Sequence, residues 1–244
     1  MLWVPYLFSD HDVHSLCYNK YATSLIVQDM WIAIPQTHHC VAWDDMQHIS
    51  FWWPYFVKPN TNWSSLDCGI CTTADQAQGL VEHICTYDTA LVQEVITWRE
   101  LTISMKWTDS PSIVGIMEVV TEKEFFDFDA KYKRDKTKEI FPELAPNLQQ
   151  IIEDAAMSIY KKFRITDIAR IDCILADKLY FLEINTIPWM TPMSFFPQCI
   201  KQYGYEWFEQ FLEECIQQKV YIYKKIKKTT PTLIKHMNKQ STIV

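Results

Sequence analysis

The segment "DIARIDCILADKLYFLEIN", Asp167 to Asn185, contains two apolar runs separated by Ala176, Asp177 and Lys178. Two such runs around a short polar break read as a β-hairpin. A two-residue turn at Asp177–Lys178 sets Asp172 opposite Glu183 and Arg170 opposite Asn185. Side chains alternate across a strand, so these four share one face. Directly opposed residues on it bring their Cβ atoms to about 4.5–5.5 Å. The other face then carries Ala169, Ile171, Cys173, Leu175, Tyr180, Leu182 and Ile184, a surface for a core. Two facing carboxylates repel unless a cation lies between them, and no lysine is expected to neutralise the pair. Asp172, Glu183 and Asn185 offer hard oxygen donors of the kind that hold Mg²⁺ beside phosphates. A hairpin with one solvated face is the plainer alternative, although asparagine is a poor strand residue.

Outward from this hairpin, the chain alternates helical and strand patterns. Helical apolar spacing covers 19–30, a Thr/Asp start opens a helix over 72–87, and an amphipathic pattern covers 147–163. A final helix is expected over about 205–218. Strands are expected at 55–59, 90–96, 100–107 and 112–120, with a short one in the stretch 41–53. Residues 121–145 are charged and aromatic without clear period, which marks a long loop. The result is an α+β architecture. It divides into a first unit at 1–90, a second at 91–218, and a tail at 219–244.

Composition bounds the function. The 244 residues are 48% hydrophobic, enough for a substantial core. The tail carries seven lysines and no acid, leaving 16 basic against 30 acidic residues over 1–218, a charge of about −14. An acidic body does not suit general nucleic-acid binding, and a frayed, solvated tail is the plain reading of its end. No apolar run is long enough to span a membrane, and no signal peptide opens the chain, so a cytoplasmic location is expected. Eight scattered cysteines read as reduced thiols. "CGIC" (68–71) and "HHC" (38–40) lack the second ligand pair of a zinc site.

The segment "ARIDCILADKLYFLEINTIPWMTPMSFFP" resembles the C-terminal signature of the D-alanine–D-alanine ligases, members of the ATP-grasp superfamily. "FFDFDAKY" (125–132), "LVQEVITWRELT" (91–102), "FVKPNTNWSS" (56–65) and "NKYATSLIVQ" (19–28) follow the same family in order and spacing. The resemblance implies an ATP-grasp fold, two α+β subdomains enclosing a nucleotide cleft. It implies an ATP-dependent ligase that activates one D-alanine as an acylphosphate and joins it to a second for peptidoglycan synthesis. It further implies ATP and two Mg²⁺ ions, with Mn²⁺ an acceptable substitute, and it allows a homodimer.

By the same resemblance Asp172, Glu183 and Asn185 hold metal. Lys20, Lys58, Gln93, Ile96, Glu100 and Lys131 bind ATP, with Gln93 where an acid is common. Arg170 steadies the oxyanion, Ser64 and Tyr132 form a catalytic hydrogen-bonding pair, and Ser194 and Phe195 line the second substrate's pocket. Residues 121–145 become a lid. Met1 would fall near the end of the family's N-terminal domain, so a separately encoded chain is one source of the rest of the first D-alanine's pocket. A remnant that binds nucleotide, or serves only structure, is the competing reading.

The chain departs from that pattern chiefly at glycine. Average usage of roughly 7% would give about 17 glycines, and the chain has 4, against 10 tryptophans. Trp3, Trp31, Trp63, Trp98 and Trp189 stand where the family pattern has glycine, as do Phe8 and Asp67. An indole at 63 or 189 is expected to crowd the phosphates or the second substrate. UGA codons read as tryptophan rather than glycine would produce both anomalies; a decayed paralogue is the rival explanation.

Overall fold

A computed structural model of the chain describes residues 6–41, 46, 49–62, 66–107, 110–121 and 137–240. Two antiparallel sheets carry the architecture. The smaller has the order β1-β4-β2-β3, from β1 (Thr37–Cys40), β2 (Tyr55–Pro59), β3 (Gly69–Cys71) and β4 (Ala90–Glu94). Helix α3 (Ala74–Ile84) covers it, burying Ala77, Val81 and Ile84 against Val57 and Val92. Thr73 caps that helix by accepting from the Gln76 amide, which satisfies one of its orphan N–H groups.

The larger sheet has the order β7-β6-β5-β8-β9. Its strands are β5 (Arg99–Trp107), β6 (Pro111–Thr121), β7 (Thr137–Ile140), β8 (Ile168–Leu175) and β9 (Leu179–Asn185). On one side α1 (His11–Tyr18), α2 (Lys20–Asp29) and α4 (Pro146–Lys162) bury Cys17, Val27, Ile152, Ile159 and Tyr160 against Leu101, Ile103, Ile171 and Phe181. On the other, α5 (Phe195–Tyr203) and the start of α6 (Phe208–Gln240) bury Phe196, Cys199 and Phe211 against Val114 and Met117. Gly115 permits that approach: a Cβ there would lie 2.9 Å from Cys199 Sγ.

Several expectations change. Helix α1 had no expected counterpart. The first strand is at 37–40 rather than within 41–53. A strand, β7, pairs with β6 inside the expected loop 121–145, and residues 122–136 of that loop lie outside the described residues. The last helix does not stop near 218 but runs unbroken to Gln240. Lys219 in it reaches Asp167 at 3.1 Å, tying the helix to the start of β8.

The hairpin itself reaches the expected pairing by another route. Its loop has three residues, with Leu175 opposite Leu179, and β9 then carries a bulge at Leu182. The extra residue restores the shift, so Asp172 does face Glu183 and Arg170 does face Asn185. A bulge inserts one residue and reverses the side-chain alternation beyond it. Phe181 therefore lies in the core, 1% exposed, where Leu182 had been expected. Leu182 turns to the polar side and lines the cavity described below.

Candidate functional site

Strand β5 runs between β6 and β8 and buries both of its faces. Leu101, Ile103 and Met105 point into the core. Thr102 and Ser104 lie opposite Asp172 and Arg170 of β8. Beside them, Asn185 and Glu183 of β9 complete one polar face.

On this face Asp172 is the hub. Arg170 donates from Nε at 3.0 Å and from Nη2 at 2.8 Å. Thr102 donates its hydroxyl at 2.9 Å, and Asn185 its Nδ2 at 3.1 Å. The same Nδ2 lies 3.1 Å from Glu183 Oε1, so one amide bridges both carboxylates. Burial pushes the Asp172 carboxyl up, Arg170 pulls it down, and the Glu183 charge pushes it up again; the balance is above its ordinary value. Burial also pushes Glu183 up, but Lys20, Lys58 and Arg170 outweigh it and leave it below. Arg170 is held above its ordinary value because its two carboxylates outweigh the cost of burial.

The expectation that no lysine neutralises the pair is therefore corrected. The cations come from elements remote in sequence. Lys20 is the first residue of α2, capped by the Asn19 side chain. Its Nζ lies 3.7 Å from Glu183 Oε2 and donates to the Asn62 carbonyl. Lys58 sits in β2. Both lysines are buried, which is rare unless they are paired.

Between the two sheets lies a cavity of about 150 Å³. Lys20, Lys58, Gln93, Ile96, Glu100, Asp172 and Glu183 all line it. Its apolar wall is made of Phe56, Ile70, Val95, Ile174 and Leu182, with Cys68 beside them. Of these, the hairpin reading places Leu182 in the core; Phe56, Ile70, Ile174 and Leu182 are strand residues, whereas Cys68 and Val95 lie just outside β3 and β4. Gln93 donates to the Thr37 hydroxyl at 2.8 Å.

Ser194 and Phe195 lie apart from this cavity at the start of α5. Ser194 pairs with the Thr191 hydroxyl at 2.8 Å, and the Phe195 ring lies 5.6 Å from the Arg170 guanidinium carbon. Asn185 is not among the cavity-lining residues and reaches it only through the two carboxylates. Ser64, Lys131 and Tyr132 lie outside the described residues, as does Trp63. Trp98 and Trp189 are 71% and 69% exposed, and neither lines the cavity.

The chain has relatives in both sequence and fold. The family described as "D-ala D-ala ligase C-terminus" matches residues 26–217. The chain belongs to this family. It is 30% identical to a D-alanine–D-alanine ligase of Thermotoga petrophila over 216 residues, 87% of this chain and 70% of that one. It is 31% identical to one from Maridesulfovibrio salexigens over 222 residues, 87% of this chain and 71% of that one. Among solved structures, the D-alanine–D-alanine ligase of Bacillus anthracis complexed with ATP superposes with a TM-score of 0.78 at 25% identity. The match covers 91% of this chain and 72% of that one. The fold is accordingly the ATP-grasp of the D-Ala-D-Ala ligases, with antiparallel sheets and helices in an α+β arrangement. No helix among the described residues of this family member is long and apolar enough to cross a membrane.

Proposed function

We propose that the chain carries the ATP-dependent chemistry of a D-alanine–D-alanine ligase, and that the cavity between its two sheets receives the nucleotide. The observation that carries this reading is the convergence of Lys20 and Lys58 on the Asp172–Glu183 pair, three buried charges and the half-buried Glu183, from separate elements lining one cavity. The two sheets then act as subdomains, the four-stranded one running to the end of β4 at Glu94 rather than to residue 90, with 219–244 as an appendage.

In this reading the apolar wall of Phe56, Ile70, Ile174 and Leu182 takes the adenine. Gln93 and Glu100 orient base and ribose. Lys20 and Lys58 hold phosphate oxygens with charge-assisted hydrogen bonds. Asp172 and Glu183 already converge on one Asn185 nitrogen, the geometry of a donor set that a small divalent cation fits, and turning the amide would add its oxygen. Mg²⁺ held by these residues would neutralise charge on the transferred phosphoryl group. Arg170 engages Asp172 through Nε and Nη2, which leaves Nη1 to donate to an oxyanion.

The chemistry transfers the γ-phosphoryl group to the carboxylate of the first D-alanine, giving an acylphosphate and ADP. The amine of the second D-alanine attacks the carbonyl carbon, phosphate leaves, and the amine loses a proton. Water must be kept from the acylphosphate; the loop 121–145, with Lys131 and Tyr132, carries the expectation of closing over it, and Ser64 that of bonding the substrate with Tyr132. A cytoplasmic location and a D-alanine acceptor belong to the same reading.

The test is calorimetric binding of ATP with and without Mg²⁺, followed by phosphate release with D-alanine. Metal-dependent binding that Asp172→Asn weakens at least about tenfold, by loss of one charge-assisted contact, is expected. Binding indifferent to both Mg²⁺ and Asp172→Asn would overturn the reading.

A further inference from the structure

Helices commonly end on a residue in the left-handed region, where glycine turns without a Cβ penalty. Helix α5 ends this way at Gly204, φ 114°. Helix α2 ends in the same manner just past Met30, at Trp31, φ 64°, whose amide donates to the Gln28 carbonyl at 3.0 Å. A bulky residue with positive φ is a true outlier. Such strain is usually offset by packing, yet the Trp31 side chain is 98% exposed.

Exposure alone does not sort the tryptophans, since Trp52 and Trp207 are 89% and 65% exposed as well. Trp53 stacks on Tyr55 with ring centroids 3.9 Å apart, and Trp107 stacks on Tyr160 at 6.1 Å. Each occupies a place that an aromatic ring suits. Trp31, Trp98 and Trp189 make no ring contact among the described residues and leave most of their surface in water. Trp98 sits in the short loop between β4 and β5, and Trp189 follows the Asn185 end of β9. These three are also positions at which the family resemblance places glycine. Positive φ by itself does not decide the matter, since Phe8, Asp67, Arg164 and Asp167 share it. What separates 31, 98 and 189 from the exposed Trp52 and Trp207 is the coincidence of an unpacked indole with a glycine position of the family resemblance, joined at Trp31 by a glycine-like φ and in the whole chain by a fourfold shortage of glycine.

We infer that positions 31, 98 and 189 are glycine in the protein as its own cell makes it, each encoded by UGA read as glycine, while Trp53 and Trp107 are genuine tryptophans. The helix carrying Lys20 then ends without strain. The loops at 98 and 189, which flank the strands bearing Gln93, Glu100 and Asn185, lose two bulky exposed side chains. A host that reads UGA as tryptophan or stop makes a different protein from the same gene.

The gene and the native protein decide this together. UGA is expected at codons 31, 98 and 189, and UGG at 53 and 107. In tryptic digests from cells that carry the gene, the peptide 179–201 should be lighter by the difference between tryptophan and glycine. The peptide 107–123 should keep its tryptophan mass and serves as the internal control. UGG at 31, 98 and 189, or a native 179–201 peptide of tryptophan mass, would overturn the inference. As an independent measurement, Trp31→Gly made in an ordinary host should raise the thermal midpoint, and a lowered midpoint would count against it.

Discussion

The two sheets meet the cavity with opposite chemistry. The five-stranded sheet presents a face whose polar groups are bonded to one another: Thr102, Arg170 and Asn185 all donate to Asp172. The four-stranded sheet presents Lys58 and Gln93 among apolar residues, with Lys20 of α2 bridging toward Glu183. One face is organised by its own strand register; the other acquires its electrostatic purpose only from what lies across the cavity. The difference predicts that substitutions on the first face disturb folding and binding together, whereas those on the second disturb binding alone.

The sharpest cut runs through the five-stranded sheet itself. Phe181 is in the core and Leu182 in the cavity wall because of the bulge in β9. Phe181→Ala should cost about 3–5 kcal/mol in urea unfolding, as for a fully buried aromatic. Leu182→Ala should cost only about 1 kcal/mol and weaken nucleotide binding. Equal stability losses would show that the alternation is not broken there.

Next comes the cationic side. Lys58→Ala should weaken ATP binding by roughly 10–100-fold, the loss of one charge-assisted hydrogen bond of about 1.5–3 kcal/mol. Its unfolding free energy should stay within about 0.5–1 kcal/mol of the parent, because the lysine's burial is itself costly. A large stability loss without a binding defect would erase the contrast between the sheets.

Outside the cavity, Lys219 offers a control for charge pairing. Burial raises the Asp167 carboxyl above its usual value despite the nearby Lys219 ammonium. Lys219→Ala should cost about 1–3 kcal/mol where Asp167 is ionised, since it strands a buried carboxylate. The folded acid binds its proton more tightly than the unfolded one, so the deficit should shrink as pH falls through the raised value. Denaturant titrations of both proteins near neutrality and in acid measure this; a pH-independent deficit would mean the lysine acts by packing.

The smallest effect is expected at Thr102. Thr102→Val removes one of several donors to Asp172 and should cost about 1 kcal/mol, with a modest loss of Mg²⁺-dependent ATP binding. No change in either would place Thr102 outside the network.

Much of the site was legible before any coordinates. The facing carboxylates, Arg170 and Asn185 follow from two apolar runs and a turn, since strand geometry leaves few ways to pair them. Lys20 and Lys58 were identified through family resemblance alone, because nothing local to either lysine announces a partner. Helix α6 was cut short in the reading because the lysine-rich stretch after 218 lost its apolar period. β7 was missed because four residues of "TKEI" carry too little alternation.

What the sequence determined by itself is the set of charges and the phase of the hairpin face that bears them, because local geometry links residue spacing to side-chain direction. What only the tertiary structure decided is which charges meet. The hairpin loop and the bulge at Leu182 each depart from the simplest pairing, and the two departures cancel at Asp172. Lys20, Lys58 and Glu183 share a cavity because α2, β2 and β9 pack around it. Such long-range meetings are paid for by burial of the core on the far side of each sheet, and no window along the chain contains that information.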